Sequence, residues 1–217
     1  MKTYFVRRLQ PDAAIAEDEF GRAFGIPEGL DDAPIDYFVQ TPETFRPRCG
    51  CRVGWDESGL YVYEYALETD LRMEEIGTCS QCWCDSCLEV FMAPDIRRPD
   101  LYFNYECTPS PYVYMAKGTG RPNRREFRVL PEGMEPASKV LPGYGWTIRY
   151  RIPVAFLKKE FDVPALYAGL EMRANFQKCG DKTKVPHWAL WNEMTPTEDG
   201  GYDFHRPQFF GRLVLTD

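Results

Sequence analysis

The feature that most constrains the fold is the alternation of apolar and polar residues in short runs, which is clearest over residues 145–153. Every second position there is apolar, at Trp146, Ile148, Tyr150 and Ile152, and the three positions between them are polar. A period of two places the four apolar side chains on one face of an extended chain, so the run predicts a half-buried strand. Pro153 then suits the first position of a short helical turn that ends near residue 161.

Similar runs recur along the whole chain, and no strand–helix–strand repeat accompanies them. Aromatic residues make up 15% of the chain, which favours strands, while 17 Gly and 18 Pro favour many turns. The pattern predicts an all-β fold, an antiparallel β-sandwich of the jelly-roll or immunoglobulin-like kind with one short helical turn. A length of 217 residues fits one domain over residues 1–217, with residues 1–33 as an N-terminal strand and loop extension. Further strands are predicted over residues 3–8, 34–39, 48–53, 60–66, 83–91, 101–107, 112–116, 125–130, 166–174 and 209–215.

Charge and hydropathy exclude two classes of partner. The chain has 26 Lys and Arg against 33 Asp and Glu, a net charge of −7 with no basic run, which argues against nucleic acid as a partner. No apolar run approaches the roughly 20 residues needed to span a bilayer, so no membrane partner is expected. The segment after Met1 lacks the apolar core of a signal peptide, which predicts a cytoplasmic protein, or an extracellular one if a signal was removed.

The predicted strand over residues 83–91 combines core aliphatic residues with an aromatic and a carboxylate. Trp83 and Glu89 are six residues apart, an even spacing that lets them share one strand face. Asn104 and Glu106 repeat a two-residue spacing on the next predicted strand. An aromatic ring beside carboxylate and amide groups suits a sugar, because the ring stacks on C–H bonds while the polar groups bind hydroxyls. The alternative is that Trp83 belongs to the core and the polar residues form a solvated face.

A long loop is predicted from residue 175 to residue 202, and it carries the second group of candidate ligand-binding residues. Long loops with such side chains are often functional. Against this, Trp191 or His187 could pack beneath the loop. No nucleophile–base pair is visible, although Glu89 and Glu106 would be the best guess for a pair of glycosidase carboxylates. The candidates in and beside the loop are Arg173, Asn175, His187, Trp188 and Trp191.

The cysteines offer a different hypothesis. Cys79, Cys82, Cys84 and Cys87 are spaced like thiolate ligands of a metal, yet all four fall within nine residues, unlike the separated pairs of a zinc ribbon. Without a signal peptide, free thiols are the expected state. Zinc is therefore not expected, and these four residues are only weak metal candidates.

Several motifs in one order resemble the carbohydrate-binding module family 9-like proteins, over about residues 34–217. They are residues 85–91 (DSCLEVF), 102–106 (YFNYE), 175–181 (NFQKCGD), 186–188 (PHW) and 204–213 (FHRPQFFGRL). The resemblance implies a bacterial β-sandwich module that is usually non-catalytic and often accompanies xylan-degrading enzymes. It also implies that two tryptophans sandwich a terminal sugar whose hydroxyls are bound by polar residues.

Within that resemblance, Trp83 and Glu89 look like one tryptophan and its acidic partner, and Asn175 looks like the opposing amide. Trp188 looks like the second tryptophan, with Trp191 as the alternative. Family members often hold structural calcium, so the resemblance leaves a calcium ion open although no oxygen-rich ligand loop is evident here; no other cofactor is expected. The missing catalytic domain and export signal, and the extra cysteines, depart from the family pattern.

The sequence therefore predicts a non-catalytic module that binds a mono- or oligosaccharide between Trp83 and an aromatic residue of the 175–192 loop. Glu89, Asn104 and Asn175 would supply polar contacts. A sugar-processing enzyme that uses Glu89 and Glu106 is the first alternative, and a zinc or thiol structural module is the second. Placement of the two carboxyl groups on opposite faces of their sheet would exclude the enzyme. The sequence identifies neither the sugar nor the oligomeric state.

Overall fold

A computed structural model describes all residues from 1 to 217 and contains two α-helices, α1 (Glu19–Phe24) and α2 (Val154–Phe161). Short 3-10 turns lie at Cys82–Cys84 and Pro207–Phe209. No helix has the length and apolarity needed to cross a membrane. The strands are β1 (Thr3–Arg8), β2 (Ala33–Pro34), β3 (Tyr37–Val39), β4 (Cys49–Asp56), β5 (Gly59–Ala66), β6 (Cys87–Ala93), β7 (Tyr102–Cys107), β8 (Val113–Gly118), β9 (Arg124–Glu126), β10 (Ala137–Leu141), β11 (Gly145–Pro153), β12 (Glu171–Cys179), β13 (Trp188–Leu190) and β14 (Gly211–Thr216).

The strands form one continuous curled sheet in the order β10-β11-β5-β4-β1-β14-β12-β6-β7-β8-β9, with β13 between β12 and β3. The two halves of this sheet pack face to face as a β-sandwich. Across the interior, the rings of Tyr105 in β7 and Tyr150 in β11 stack with centroids 4.0 Å apart. The apolar face of β11 predicted from its alternation, including Trp146 and Ile148, is completely buried in the same core. The predicted fold class is therefore confirmed.

The N-terminal segment is more integral to the sandwich than the predicted extension suggests. Strand β1 lies between β4 and β14 and runs parallel to both, so the sheet is mixed rather than wholly antiparallel. Its alternation explains the position, because Tyr4 and Val6 are buried in the core while Phe5 points outward. The helix α1 places Phe20 and Phe24 against Tyr65 of β5, where they form a smaller apolar cluster.

The strands β6, β7 and β12 present alternate residues to the core and to the outer face, as the sequence pattern predicts for β6. Leu88 and Val90 lie in the main core, whereas Cys87 and Phe91 lie in a second apolar cluster on the outer face. The predicted strand began at residue 83, however, and β6 begins only at Cys87. The 3-10 turn at Cys82–Cys84 replaces its first part.

One strand boundary and two additional strands in the second half of the chain also differ from the prediction. The strand β12 runs from Glu171 through Cys179, so the predicted loop begins later than residue 175. That loop contains a further strand, β13. The strand β10 lies before β11, in a segment for which the sequence predicts no strand. The strands β10 and β13 have only 5 and 3 residues, so neither is long enough to produce a clear alternating signal.

Candidate functional site

The outer face of β12, β6, β7 and β8 carries one row of polar side chains. Gln177 is the register partner of Glu89, Glu89 is the partner of Glu106, and Glu106 is the partner of Tyr114. Partners in neighbouring antiparallel strands point to the same face, so Glu89 and Glu106 lie side by side. Both glutamates are almost completely buried, at 2% and 3% exposure.

Two tryptophans flank this row from different sides. The Trp83 ring meets the ring of Tyr114 edge to face, with centroids 5.2 Å apart, and so lies toward β8. Trp188 begins β13, on the far side of β12. Asp181 links them: its backbone N–H donates to the carbonyl of Trp83 at 3.0 Å, and its carboxylate accepts from Nε1 of Trp188 at 2.6 Å. One aspartate therefore fixes the backbone of the first tryptophan and the ring of the second.

Both tryptophans and both glutamates line a single open cleft of about 300 Å³. Its floor contains Glu89 and Glu106 of the buried polar row, and its walls are largely aromatic. A concave site with aromatic walls and a few convergent polar groups is the usual form of a small-molecule binding site. Besides these four residues, the lining consists of Val39, Gln40, Phe91, Arg121, Arg124, Cys179, Asp181, Tyr202, Phe204 and His205.

Two arginines bring positive charge to the outer part of the cleft. Arg121 is well exposed and donates two hydrogen bonds to Oδ1 of Asp203, at 2.9 and 3.1 Å. Arg124 donates from Nη1 to Oδ1 of Asn104 at 2.9 Å. Neither arginine forms an ion pair with Glu89 or Glu106, and no other Lys, Arg or His does so either.

The buried glutamates favour their protonated forms. Burial, together with the nearby charge of Asp181, raises the pKa of Glu89 to about 7. Burial also raises the pKa of Glu106 well above its usual range, and the charge of Glu89 adds to the effect. One oxygen of Glu106, Oε2, has no hydrogen-bond partner, and the amide N and O of Gln177 have none either. Buried polar atoms are normally paired, so Oε2 of Glu106, which lines the cleft, is available to a ligand.

The raised pKa of Glu89 predicts a pH-dependent stability. The pKa of Glu89 is about 7 in the folded protein, against an ordinary value of 4.5 for a glutamate, so folding takes up protons at pH values between these two. The contribution of Glu89 to the unfolding free energy is then full below the lower value and is lost as pH rises through the upper one. We expect the unfolding free energy of the wild type, minus that of Glu89→Gln, to decrease with rising pH in urea titrations.

A matched control for this pH series is Glu171→Gln. Glu171 is exposed, and its hydrogen bonds with Arg212 lower its pKa, so its contribution changes with pH in the opposite direction and is small. The prediction would be contradicted if the difference in unfolding free energy between the wild type and Glu89→Gln stayed constant between the two pKa values.

The structure places the nine predicted ligand-binding residues in three groups. Trp83, Glu89, Glu106 and Trp188 line the cleft. Asn104 lies beneath it, where its amide N donates to Oε1 of Glu106 at 3.0 Å and so orients that carboxyl group. The other four lie outside the cleft: Arg173, Asn175, His187 and Trp191.

Arg173 and Asn175 were predicted as loop or loop-flanking residues, but both lie in β12, away from the lining. Arg173 donates to the carbonyl groups of Gln208 and Phe210, at 3.2 and 2.9 Å. The fully buried Asn175 accepts from the backbone N–H of Asn192 at 2.8 Å and donates to its carbonyl at 3.0 Å. Its amide is therefore used to hold two chain segments together.

Trp191 and His187 pack inside the protein, which is the alternative to ligand binding that the sequence leaves open for them. Trp191 belongs to the main core, with its ring 5.2 Å from that of Phe176. A Cβ at Gly211 would lie 2.3 Å from Cζ3 of Trp191, so only glycine fits there. His187 is completely buried on the other face of β12, where Nζ of Lys178 donates to its Nε2 at 2.7 Å.

The cysteines do not gather into a metal-ligand set. All eight are free, and no three His, Cys, Asp or Glu side chains are grouped so that they could hold a metal ion. Cys79 donates to the carbonyl of Phe127 at 3.4 Å, and Cys82 donates to that of Tyr112 at 3.6 Å, so their thiols have separate partners. Cys84 donates to the side chain of Gln81, and Cys87 to a backbone carbonyl in its own strand. Burial raises the pKa of all four thiols, which disfavours the thiolate that a metal requires.

Sequence reasoning missed several polar residues of the cleft lining, among them two arginines, an aspartate and a histidine. Arg121 and Arg124 lie in and after the turn that follows β8, and Asp181 lies directly after β12. Gln177 shares the outer face with Glu89. A correct end for β12 would have shown that Gln177 and Glu89 occupy one face, but no local signal places the arginines.

The comparison with known proteins agrees with this architecture. The sequence model of carbohydrate-binding family 9 matches residues 28–215, which is most of the chain. The chain belongs to carbohydrate-binding family 9. Members of this family are non-catalytic binding modules. The hypothesis of a zinc or thiol structural module therefore has neither the family nor the cysteine geometry in its favour.

Solved structures show the same fold. A protein from Bacteroides uniformis ATCC 8492, described as a candidate carbohydrate-binding protein, is 25% identical with a TM-score of 0.77, and 99% of each chain is covered. Two structures of a family 9 module from Caldicellulosiruptor kristjanssonii, one with cellotriose and one with glucose, are each 14% identical. Their TM-scores are 0.65 and 0.61, with 99% of this chain and 94% and 96% of theirs covered. No curated protein matches the sequence.

The test stated for the enzyme hypothesis does not exclude it by geometry alone. Glu89 and Glu106 lie on the same face of the sheet and both line the cleft. Both side chains are almost completely buried, and the two residues are direct register partners in neighbouring strands. Membership of a non-catalytic family favours binding instead.

Proposed function

We propose that the protein binds the terminal unit of a mono- or oligosaccharide in the cleft between Trp83 and Trp188, without cleaving it. The observation that carries the proposal is that these two tryptophans, both hydrogen-bonded to the same aspartate, flank a floor of buried polar groups. Sugars offer apolar C–H faces for the rings and hydroxyls for the floor. The related module crystallised with glucose and cellotriose supports the same ligand class.

The polar contacts of this proposal come from the carboxyl groups of the cleft floor. Oε2 of Glu106 is buried without a hydrogen bond in the lining of the cleft, and Glu89 lies beside it in the row. A hydroxyl both donates and accepts, so it can pair with a carboxylate, a protonated carboxyl group or an amide. Asn104 holds Glu106 in place and would act indirectly.

Calorimetric titration with a saccharide panel tests the function. The panel consists of glucose, glucosamine, N-acetylglucosamine, xylose, cello-oligosaccharides and xylo-oligosaccharides. The xylo-oligosaccharides are included because the family resemblance links such modules to xylan degradation. We expect at least one member to bind with a Kd between about millimolar and micromolar, which is about −4 to −8 kcal/mol. Lack of binding by every member would refute the proposal.

The same samples separate binding from hydrolysis. After prolonged incubation with protein, the oligosaccharides are expected to remain intact by chromatography. Release of shorter sugars that disappears in Glu89→Gln would instead support the enzyme that uses Glu89 and Glu106.

A further inference from the structure

The floor of the cleft contains two carboxyl groups and no cation that pairs with them. Glu89 and Glu106 are direct cross-strand neighbours, an arrangement that is unfavourable when both are charged. Buried acidic groups are normally paired with a cation or a metal. Here neither residue takes part in any ion pair of the protein.

The nearest protein cations are engaged elsewhere. Lys178 follows Gln177 in β12 but points to the opposite face, where its ammonium group pairs with Glu68 at 3.1 Å. Arg121 is bonded to Asp203 at the exposed outer part of the cleft, and Arg124 is bonded to the amide oxygen of Asn104. The charges of both arginines lower the pKa of Glu106 in part, but neither forms an ion pair with it, so its carboxyl group has no cationic hydrogen-bond partner.

An unpartnered atom shows where a ligand would complete this arrangement. Glu106 is 3% exposed and lines the cleft, and its Oε2 has no donor within the protein, while its Oε1 accepts from Asn104. Asp181 adds a third carboxylate to the lining. A neutral hydroxyl can donate one hydrogen bond to this oxygen, whereas a cationic donor would also stabilise the ionised carboxylates, which burial and their proximity otherwise disfavour.

We propose that the saccharide bound in this cleft carries a free, protonated amino group, as in an unacetylated hexosamine, and that its ammonium group pairs with Glu106 and Glu89. The inference rests on the proposed saccharide binding and specifies the class of sugar. Burial favours protonation of both glutamates in the empty cleft, so an entering ammonium group replaces a proton that the pair otherwise holds. The aromatic walls would take the C–H faces of the same sugar.

Three sugars that differ only at one substituent test this inference. Glucosamine carries the amine, glucose carries a hydroxyl, and N-acetylglucosamine carries a bulkier uncharged group. At neutral pH we expect glucosamine to bind at least about tenfold more tightly than glucose, because a buried charged hydrogen bond is about twice as strong as a neutral one. N-Acetylglucosamine is expected to bind no better than glucose.

The substitution Glu106→Gln supplies the second arm of the test. It keeps the shape of the side chain and removes its charge, so we expect the ratio of the glucosamine and glucose affinities to fall to within about threefold. Glu171→Gln, a surface carboxylate paired with Arg212 outside the cleft, should leave the ratio of the wild type unchanged. Equal binding of glucosamine and glucose by the wild type, or a preference that persists in Glu106→Gln, would overturn the inference and leave the proposed function standing. Failure of every sugar in the panel to bind would overturn both.

Discussion

Lys178→Met is expected to lower the unfolding free energy by about 3–5 kcal/mol, the largest effect of any single substitution considered for this protein. Lys178 has no exposed surface, and its ammonium group lies 3.1 Å from Oε2 of the equally buried Glu68. Nζ also donates to the carbonyl of Cys179 and to Nε2 of His187, each at 2.7 Å. Methionine preserves the apolar part of the side chain but leaves the Glu68 carboxylate without its cation.

The neighbours of Glu68 cannot replace that cation. Ser86 donates to Oε1 at 3.0 Å and Trp146 donates to Oε2 at 3.3 Å, but both donors are neutral. His187 is neutral too, because burial and the adjacent Lys178 charge lower its pKa to about 4. Since a lysine ammonium group can only donate, Nε2 of His187 must accept, which leaves its Nδ1–H to donate to the carbonyl of Val185 at 2.8 Å. The lysine therefore carries the one positive charge in this buried network.

Urea unfolding of three variants checks the prediction. The double substitution Lys178→Met with Glu68→Gln should recover a large part of the lost stability, because it removes the isolated charge. Lys184→Met is the matched control: Lys184 pairs with Asp70 at 3.3 Å on the surface, both side chains are well exposed, and the expected cost is below about 1 kcal/mol. If Lys178→Met and Lys184→Met cost the same, the buried pair is not a major source of stability.

Much of the fold follows from local sequence pattern. The alternation in β11 placed Trp146, Ile148 and Tyr150 correctly in the core, and the alternation in β6 separated Leu88 and Val90 from the outer face. These predictions succeed because a strand with one face in an apolar core must repeat with a period of two. The central position of β1 between two parallel neighbours could not be predicted, since pairing with β14 joins opposite ends of the chain.

The site was harder to predict because polar residues have no periodic signature of function. Trp83 lines the cleft although its predicted strand face was wrong: it reaches the cleft from a 3-10 turn before β6. His187 and Asn175 have the residue types of a sugar site but are used inside the protein, where they satisfy Lys178 and the backbone of Asn192. Whether a polar side chain meets a ligand or another buried group depends on tertiary contacts that the local sequence does not contain.

The cysteines illustrate the same limit. Their spacing resembles a metal motif, yet Cys87 is a packing residue on the outer face of β6 and is the register partner of Cys179. Spacing in a sequence becomes metal-ligand geometry only when the backbone brings the thiols to one point. Here the 3-10 turn and the strand that follows it give the thiols different partners.

The aromatic walls provide the largest expected effect on binding. We expect Trp83→Ala and Trp188→Ala each to weaken the saccharide that binds in the panel by about 30-fold, which corresponds to about 2 kcal/mol for a large ring at the centre of a contact. Trp188→Ala has a second consequence, because Asp181 loses the indole N–H that donates to its carboxylate at 2.6 Å. Trp188→Phe keeps a stacking ring and removes that donor, so it separates the two contributions.

Calorimetry on the single and double variants tests this model of the walls. If the two rings hold one sugar unit between them, the double variant should bind too weakly to measure, whereas Tyr167→Ala, at an exposed tyrosine outside the cleft, should bind like the wild type. Far-ultraviolet circular dichroism and the urea midpoint of each variant show that the sandwich is intact, which is expected because both rings are only partly buried. If Trp83→Ala binds within about twofold of the wild type, the Trp83 ring does not contact the sugar. The same result for Trp188→Ala would show that the Trp188 ring does not contact it. Loss of affinity in both variants, with Trp188→Phe intermediate, is the pattern that a sugar stacked between two rings requires.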